Sequence, residues 1–168
     1  VYGIIQLINF AHGDIMMVGA YIGWFCTTVL KMAFLPALII SMILTAILGM
    51  LIERVAYKPL RKSTRLAALI TAIGMSFFLE YGGILAVGPQ TRTFPDVFPQ
   101  TLYHIGGVTF KLGDIIIIAT SVILMAILNF VIKYTRIGKA MRAVSFDKDA
   151  SALMGINVDN TISATFAI

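Results

Sequence analysis

Met32–Ile52 is a run of 21 residues with no formal charge. No other feature constrains this chain as strongly. A helix that long covers the roughly 30 Å hydrocarbon core of a bilayer at a rise of about 1.5 Å per residue. Two more stretches behave alike. Leu66–Leu79 is uncharged and, after Glu80, stays apolar to Val87, and Ile115–Ile132 is an uncharged run of 18 residues. Hydrophobic residues make up 59% of the sequence and charged ones 12%, against about 45–50% and 25% in soluble domains. A soluble core of this size has nowhere to hide so much apolar surface. The expected fold class is an all-α, polytopic integral membrane bundle, forming one transmembrane domain over 1–168.

The formal net charge of +5 does not point to nucleic acid, because the basic residues sit in two short stretches. Arg54, Lys58, Arg61, Lys62 and Arg65 fall in one; Lys133, Arg136, Lys139, Arg142 and Lys148 fall in the other. This is the positive-inside pattern. It makes 53–65 and 133–156 cytoplasmic loops and 88–111 an external loop. Segment 32–52 then runs inward, 66–87 outward and 112–132 inward, with another span starting at 157–168. The single cysteine, Cys26, excludes an intrachain disulfide and a Cys-rich metal site. Both ends lie in apolar stretches, Val1–Phe10 and Ile162–Ile168, as expected of a piece cut from a longer membrane domain.

One continuous helix over the first thirty residues would be about 45 Å long, too long for one crossing. A break is expected at Asn9-Phe10-Ala11-His12-Gly13-Asp14, with a span over 15–30 after it. Ionisable residues at membrane depth usually face a bundle interior or a water-filled path, and transporters place substrate sites at broken helices. Asn9, His12, Gly13 and Asp14 are therefore the candidates near a translocation path. Asp14 is equally suited to N-cap a helix starting at Ile15. Gly19 and Gly23, four apart, are a helix-packing signal. Glu80 and Asp114 read as solvated interfacial carboxylates.

Pro89, Pro95 and Pro99 deny the external loop a continuous helix. Gly106-Gly107 between short β-prone runs predicts a hairpin. Such a hairpin either caps a pathway mouth, touches a soluble partner, or merely connects two spans. In the second cytoplasmic loop, Ser145 is placed to cap a helix of about two turns, and Gly155 to end it. Phe146, Ala150, Leu153 and Met154 share one face of that helix. An amphipathic helix of this kind lies on the membrane or docks into a groove on a soluble partner.

Two motifs then carry a resemblance. Leu7-Ile8-Asn9-Phe10-Ala11-His12-Gly13-Asp14, followed by Met17-Val18-Gly19-Ala20-Tyr21, resembles the signature of LivH-type permeases of branched-chain amino-acid ABC importers. Gly138-Lys139-Ala140-Met141-Arg142-Ala143, then Asp147 to Gly155-Ile156-Asn157, resembles their cytoplasmic coupling loop. Ile73-Gly74-Met75-Ser76-Phe77-Phe78-Leu79 is also similar to that family. The resemblance implies a coupling helix seated in a cleft of a cytoplasmic ATPase, with Asp147, Asp149, Ala150, Ala152 and Gly155 as the coupling residues. It further implies a second related permease, an external substrate-binding protein, and a bacterial or archaeal inner membrane. ATP would be used by the partner subunit, with no cofactor bound by this chain. The general ABC-importer pattern opens this loop with Glu-Ala-Ala; here Asp149-Ala150-Ser151 stands in its place.

Three rival readings remain at this level. A urea or short-amide permease of the same machine looks much the same. A secondary transporter or channel would need no docking helix, and ion coupling favours more embedded carboxylates than Asp14 alone. A membrane enzyme is disfavoured, since no nucleophile–base pair, metal spacing or phosphate-binding loop is present in the sequence.

Overall fold

The computed structural model describes residues 10–60, 63–95, 102–105 and 108–168. Its helices are α1 His12–Thr28, α2 Phe34–Ile52, α3 Arg65–Val87, α4 Leu112–Tyr134, α5 Arg136–Phe146, α6 Lys148–Leu153 and α7 Val158–Ala167. Strands β1 Leu102–Ile105 and β2 Val108–Lys111 pair antiparallel between α3 and α4, with Leu102 opposite Lys111 and Ile105 opposite Val108. Among the described residues, Phe34–Leu60, Leu66–Val87 and Leu112–Tyr134 are long and apolar enough to cross a membrane. The chain is a helical, polytopic membrane protein, as its apolar runs demand.

Helix α1 starts three residues earlier than the sequence suggests. Ala11 is its N-cap, and the Ala11 carbonyl accepts from the Ile15 N–H at 2.9 Å. Asp14 therefore lies inside the first turn and does not cap the helix. Its carboxylate instead accepts a hydrogen bond from the Ser76 hydroxyl on α3. With 17 residues, α1 is about 26 Å long, slightly short of the hydrocarbon thickness. Lys31, with φ of 52°, turns the chain back into α2. Pro36 is accommodated in the first turn of α2, where backbone N–H groups have no partner in the helix to lose.

The charges at Glu53 and Arg54 end the apolar run but not the helix. The backbone continues through a widened π-helical turn, Glu53–Tyr57, and a tight 3-10 turn, Lys58–Leu60. The expected loop beginning at residue 53 is thus helical as far as Leu60. Its side chains explain why: Glu53, Ala56 and Tyr57 are buried against neighbouring helices, while Arg54 and Lys58 point outward. The second basic loop, 133–156, is likewise built mostly of α5 and α6.

Helix α1 packs on α2 through Gly19, whose carbonyl accepts from Ser41 Oγ at 2.5 Å. A Cβ at Gly19 would come 2.8 Å from Thr45 Oγ1, so any side chain there forces Thr45 to shift and loosens this approach. Ala11, Ile52, Ala56, Tyr57, Ala72 and Leu79 form the main core, with Phe166 of α7 packed against it. A second cluster, Val144 with Ile162, joins α5 to α7. Helix α4 has no buried residue; it meets the rest of the chain mainly through α5 and β2.

Candidate functional site

Two places combine special geometry with chemistry. The first is a cavity of about 580 Å³ between α1 and α2. Its walls are mostly apolar: Ile15, Met16, Ala20, Leu38, Met42 and Ala46, among others. Gly19 and Gly23 thin the α1 wall. Phe94, from the segment after α3, lines it at one end, and Thr165, Phe166, Ala167 and Ile168 of α7 line it at the other. The polar groups facing it are few. Ser41 and Thr27 are spent on main-chain carbonyls, whereas Thr45 Oγ1 is buried against Gly19 without a hydrogen-bond partner among the described residues.

The segment after α3 is held over α1 by Arg92. Its guanidinium stacks 5.3 Å from the Trp24 ring centroid and donates to the Val87 carbonyl at 3.3 Å. Phe94 of this segment lines the cavity, and further along the chain β2 leads directly into α4.

The second place is the joint between α5, α6 and α7. Thr135 caps α5 by accepting from the Gly138 N–H at 3.1 Å and donates to the Val131 carbonyl at 2.5 Å. A side chain at Gly138 would collide with the backbone carbonyls of Val131 and Ile132, so glycine permits the sharp turn out of α4. Arg142 donates to the Ile132 carbonyl and closes the same corner. Met141 and Val144 are buried, and α5 shows Arg136, Lys139 and Arg142 on its exposed side.

Asp147, not Ser145, caps the short helix α6. Asp147 adopts an extended backbone, and its Oδ1 accepts from the N–H groups of Asp149 and Ala150 at 2.9 and 3.0 Å. Ser145 belongs to the last turn of α5, where its hydroxyl donates to the Arg142 carbonyl at 2.6 Å. A carboxylate outcompetes a hydroxyl for this position because it complements the helix dipole as well. Gly155 ends α6 with φ of +81°. Its N–H donates to the Ala152 carbonyl and that of Ile156 to the Ser151 carbonyl, each at 3.0 Å, the paired bonds of a left-handed terminus. Both ends of α6 are therefore fixed by the chain itself.

Apolar side chains stand exposed on and beside this element, but Phe146, expected on one face with Ala150, Leu153 and Met154, is the last residue of α5 and is set apart from α6 by the break at Asp147. Phe146, Leu153 and Met154 are 93%, 89% and 83% exposed. Ala150 and Ala152 are exposed, as are Asp147, Lys148 and Asp149.

Of the four candidates on the N-terminal motif, Asn9 lies outside the described residues. His12 lines the cavity and is exposed. Gly13 is exposed with open space around it. Asp14 faces away from the cavity and joins α1 to α3 through Ser76. Gly19 sits at the tight α1–α2 contact, while Gly23 has ordinary clearance from Phe94 and Ser41. Glu53 was missed. It is fully buried and accepts from Ser163 Oγ at 2.7 Å. In sequence it merely stands at the foot of an apolar run, and its partner is 110 residues away.

Comparison with known proteins adds the following. The family model described as branched-chain amino acid transport system, permease component, matches residues 1–168. The chain is 38% identical over 180 residues to the high-affinity branched-chain amino acid transport system permease protein BraD of Pseudomonas aeruginosa, covering all of this chain and 59% of BraD. It is 37% identical over 185 residues to the LivH permease proteins of Salmonella typhimurium and Escherichia coli, covering all of this chain and 58% of each. The chain thus spans less than two thirds of the length of these curated relatives. No solved structure matches it.

Proposed function

The chain belongs to the permease family of branched-chain amino acid transport systems, and from that premise we propose that it forms the membrane path of an ATP-driven importer for leucine, isoleucine and valine. The importer works by alternating access across a bacterial or archaeal inner membrane. This chain supplies no ATPase site. A separate cytoplasmic ATPase burns the ATP, a second related permease completes the pore, and an external binding protein delivers substrate.

One observation carries the reading. Helix α6 is capped at both ends and carries Leu153 exposed, with Met154 exposed at its C-cap and Phe146, the last residue of α5, exposed just before the break at Asp147. Exposed apolar side chains on a rigid helix are the signature of a groove-docking element. The basic residues around it, Lys133 to Lys148, fit a cytoplasmic position by the positive-inside rule. An ATPase cleft is the fitting occupant. Closure of the ATPase displaces α6. Only residues 154–157 separate α6 from α7, and α7 ends at the cavity wall. The cavity suits the cargo: its mostly apolar walls receive an aliphatic side chain.

The test is uptake of radiolabelled leucine into proteoliposomes holding the full-length transporter and its binding protein, with ATP inside. Saturable, ATP-dependent uptake competed by isoleucine and valine is expected. Uptake of urea or short amides in place of leucine would move the substrate assignment. Uptake that persists without ATP on an ion gradient would overturn the importer reading.

A further inference from the structure

Glu53 is a fully buried carboxyl group that the transport path does not use. Burying such a group is costly unless hydrogen bonds hold it. A well-packed apolar side chain would join two helices as firmly. What a buried polar pair adds is direction, because it fits one register and fails in its neighbours. The backbone at Glu53 is also unusual. It opens the π-helical turn Glu53–Tyr57, a distortion that concentrates at functional positions.

Glu53 is bonded by Ser163 of α7, whose Oγ donates to its carboxylate at 2.7 Å. Contacts flank this bond on both sides along an antiparallel α2–α7 seam. Toward the cytoplasm, Lys58 pairs with Asp159 at 2.8 Å. Toward the cavity, a Cβ at Gly49 would come 2.5 Å from the Phe166 carbonyl oxygen, and the Tyr57 and Phe166 rings lie 5.2 Å apart. Asp159, Ser163 and Phe166 are spaced i, i+4 and i+7, one stripe of α7. The seam therefore runs from the start of α7, beside the α6–α7 joint, to the cavity.

Resting on the importer reading above, we infer that Glu53 is a positioning residue for energy coupling. Its bond to Ser163 locks the register of α7 against the π turn of α2, so α2 and α7 move as one body. A push on α6 then arrives at the cavity as movement of both walls. Without the lock, α7 slips along α2 and the stroke is dissipated. The flanking contacts specify register less sharply: Lys58–Asp159 is half exposed and screened, and the Gly49 contact is non-directional.

The experiment uses the complete transporter in proteoliposomes, with leucine uptake and ATP hydrolysis measured on the same vesicles. E53A is expected to lower uptake roughly tenfold while hydrolysis stays within about twofold, so leucine moved per ATP falls. S163A, which deletes one hydroxyl, is expected to lower that ratio by a few-fold. E53Q keeps an oxygen that accepts from Ser163, and is expected to retain most of the coupling. A wild-type ratio in S163A overturns the inference, and so does E53Q behaving like E53A. If E53A fails to assemble, S163A decides. Wild-type vesicles without ATP-driven uptake would instead overturn the importer reading itself, a result separable from any variant's ratio.

Discussion

Helices α2 and α4 are nearly indistinguishable by length and hydropathy, yet they live in different surroundings. Helix α2 buries Ala37, Gly49 and Ile52 and meets α1 on one side and α7 on another. Helix α4 buries nothing, and Ile117, Ile118, Val122, Leu124 and Met125 all stand exposed along it. The difference lies in what the small and hydroxyl residues do. On α2, Ser41 donates to a carbonyl of α1, Thr45 fills the gap left by Gly19, and Gly49 receives the backbone of α7. On α4, Ala119, Thr120 and Ser121 are present but exposed. In lipid there is little hydrophobic gain from bringing apolar helices together, so close packing and polar contacts decide which helices associate.

The comparison breaks most sharply at Gly49. Gly49→Leu drives a side chain into the Phe166 backbone and should destabilise the purified protein by about 3 kcal/mol or more. Denaturation in detergent reads this directly. Asp14→Ala should cost about 1–2 kcal/mol, because it strands the Ser76 hydroxyl between α1 and α3. A double-mutant cycle with Ser76→Ala should return a coupling energy of at least ~0.5 kcal/mol; additive effects would remove that contact from the account. Asp147→Ala deletes the cap of α6 and should weaken that helix by about 1 kcal/mol. The expected readout is faster amide exchange over 148–153 with the bundle unchanged. On α4, Leu124→Ala should shift stability by under about 0.5 kcal/mol. A cost near that of Gly49→Leu would show that α4 is packed against protein after all.

Much of this architecture was legible, and the reasons are particular. Uncharged runs give the long helices because an apolar segment of span length has few other solutions. The hairpin followed from Gly106-Gly107 between β-prone runs, and Gly155 from its position after a short apolar face. The cap of α6 was assigned two residues early because Ser145 and Asp147 are both good capping residues, and only the backbone break at Asp147 separates them. Continuation of α2 through Glu53 was illegible for a different reason. A charge after an apolar run looks like a membrane boundary, and only the fold brings Ser163 to meet it. Asp14 shows the same limit: a carboxylate near a helix start suggests a cap until the partner on another helix is known.

Docking of α6 on an ATPase is tested most directly by chemical cross-linking. A single cysteine placed at Leu153, in a full-length chain lacking Cys26, is reacted with a short heterobifunctional reagent in inside-out and right-side-out vesicles. The account predicts capture of the nucleotide-hydrolysing subunit, with the thiol labelled from the cytoplasmic face only, and altered capture efficiency when ATP is bound. Labelling from the external face alone, or a Leu153 thiol that never meets the ATPase in an actively transporting complex, would contradict it.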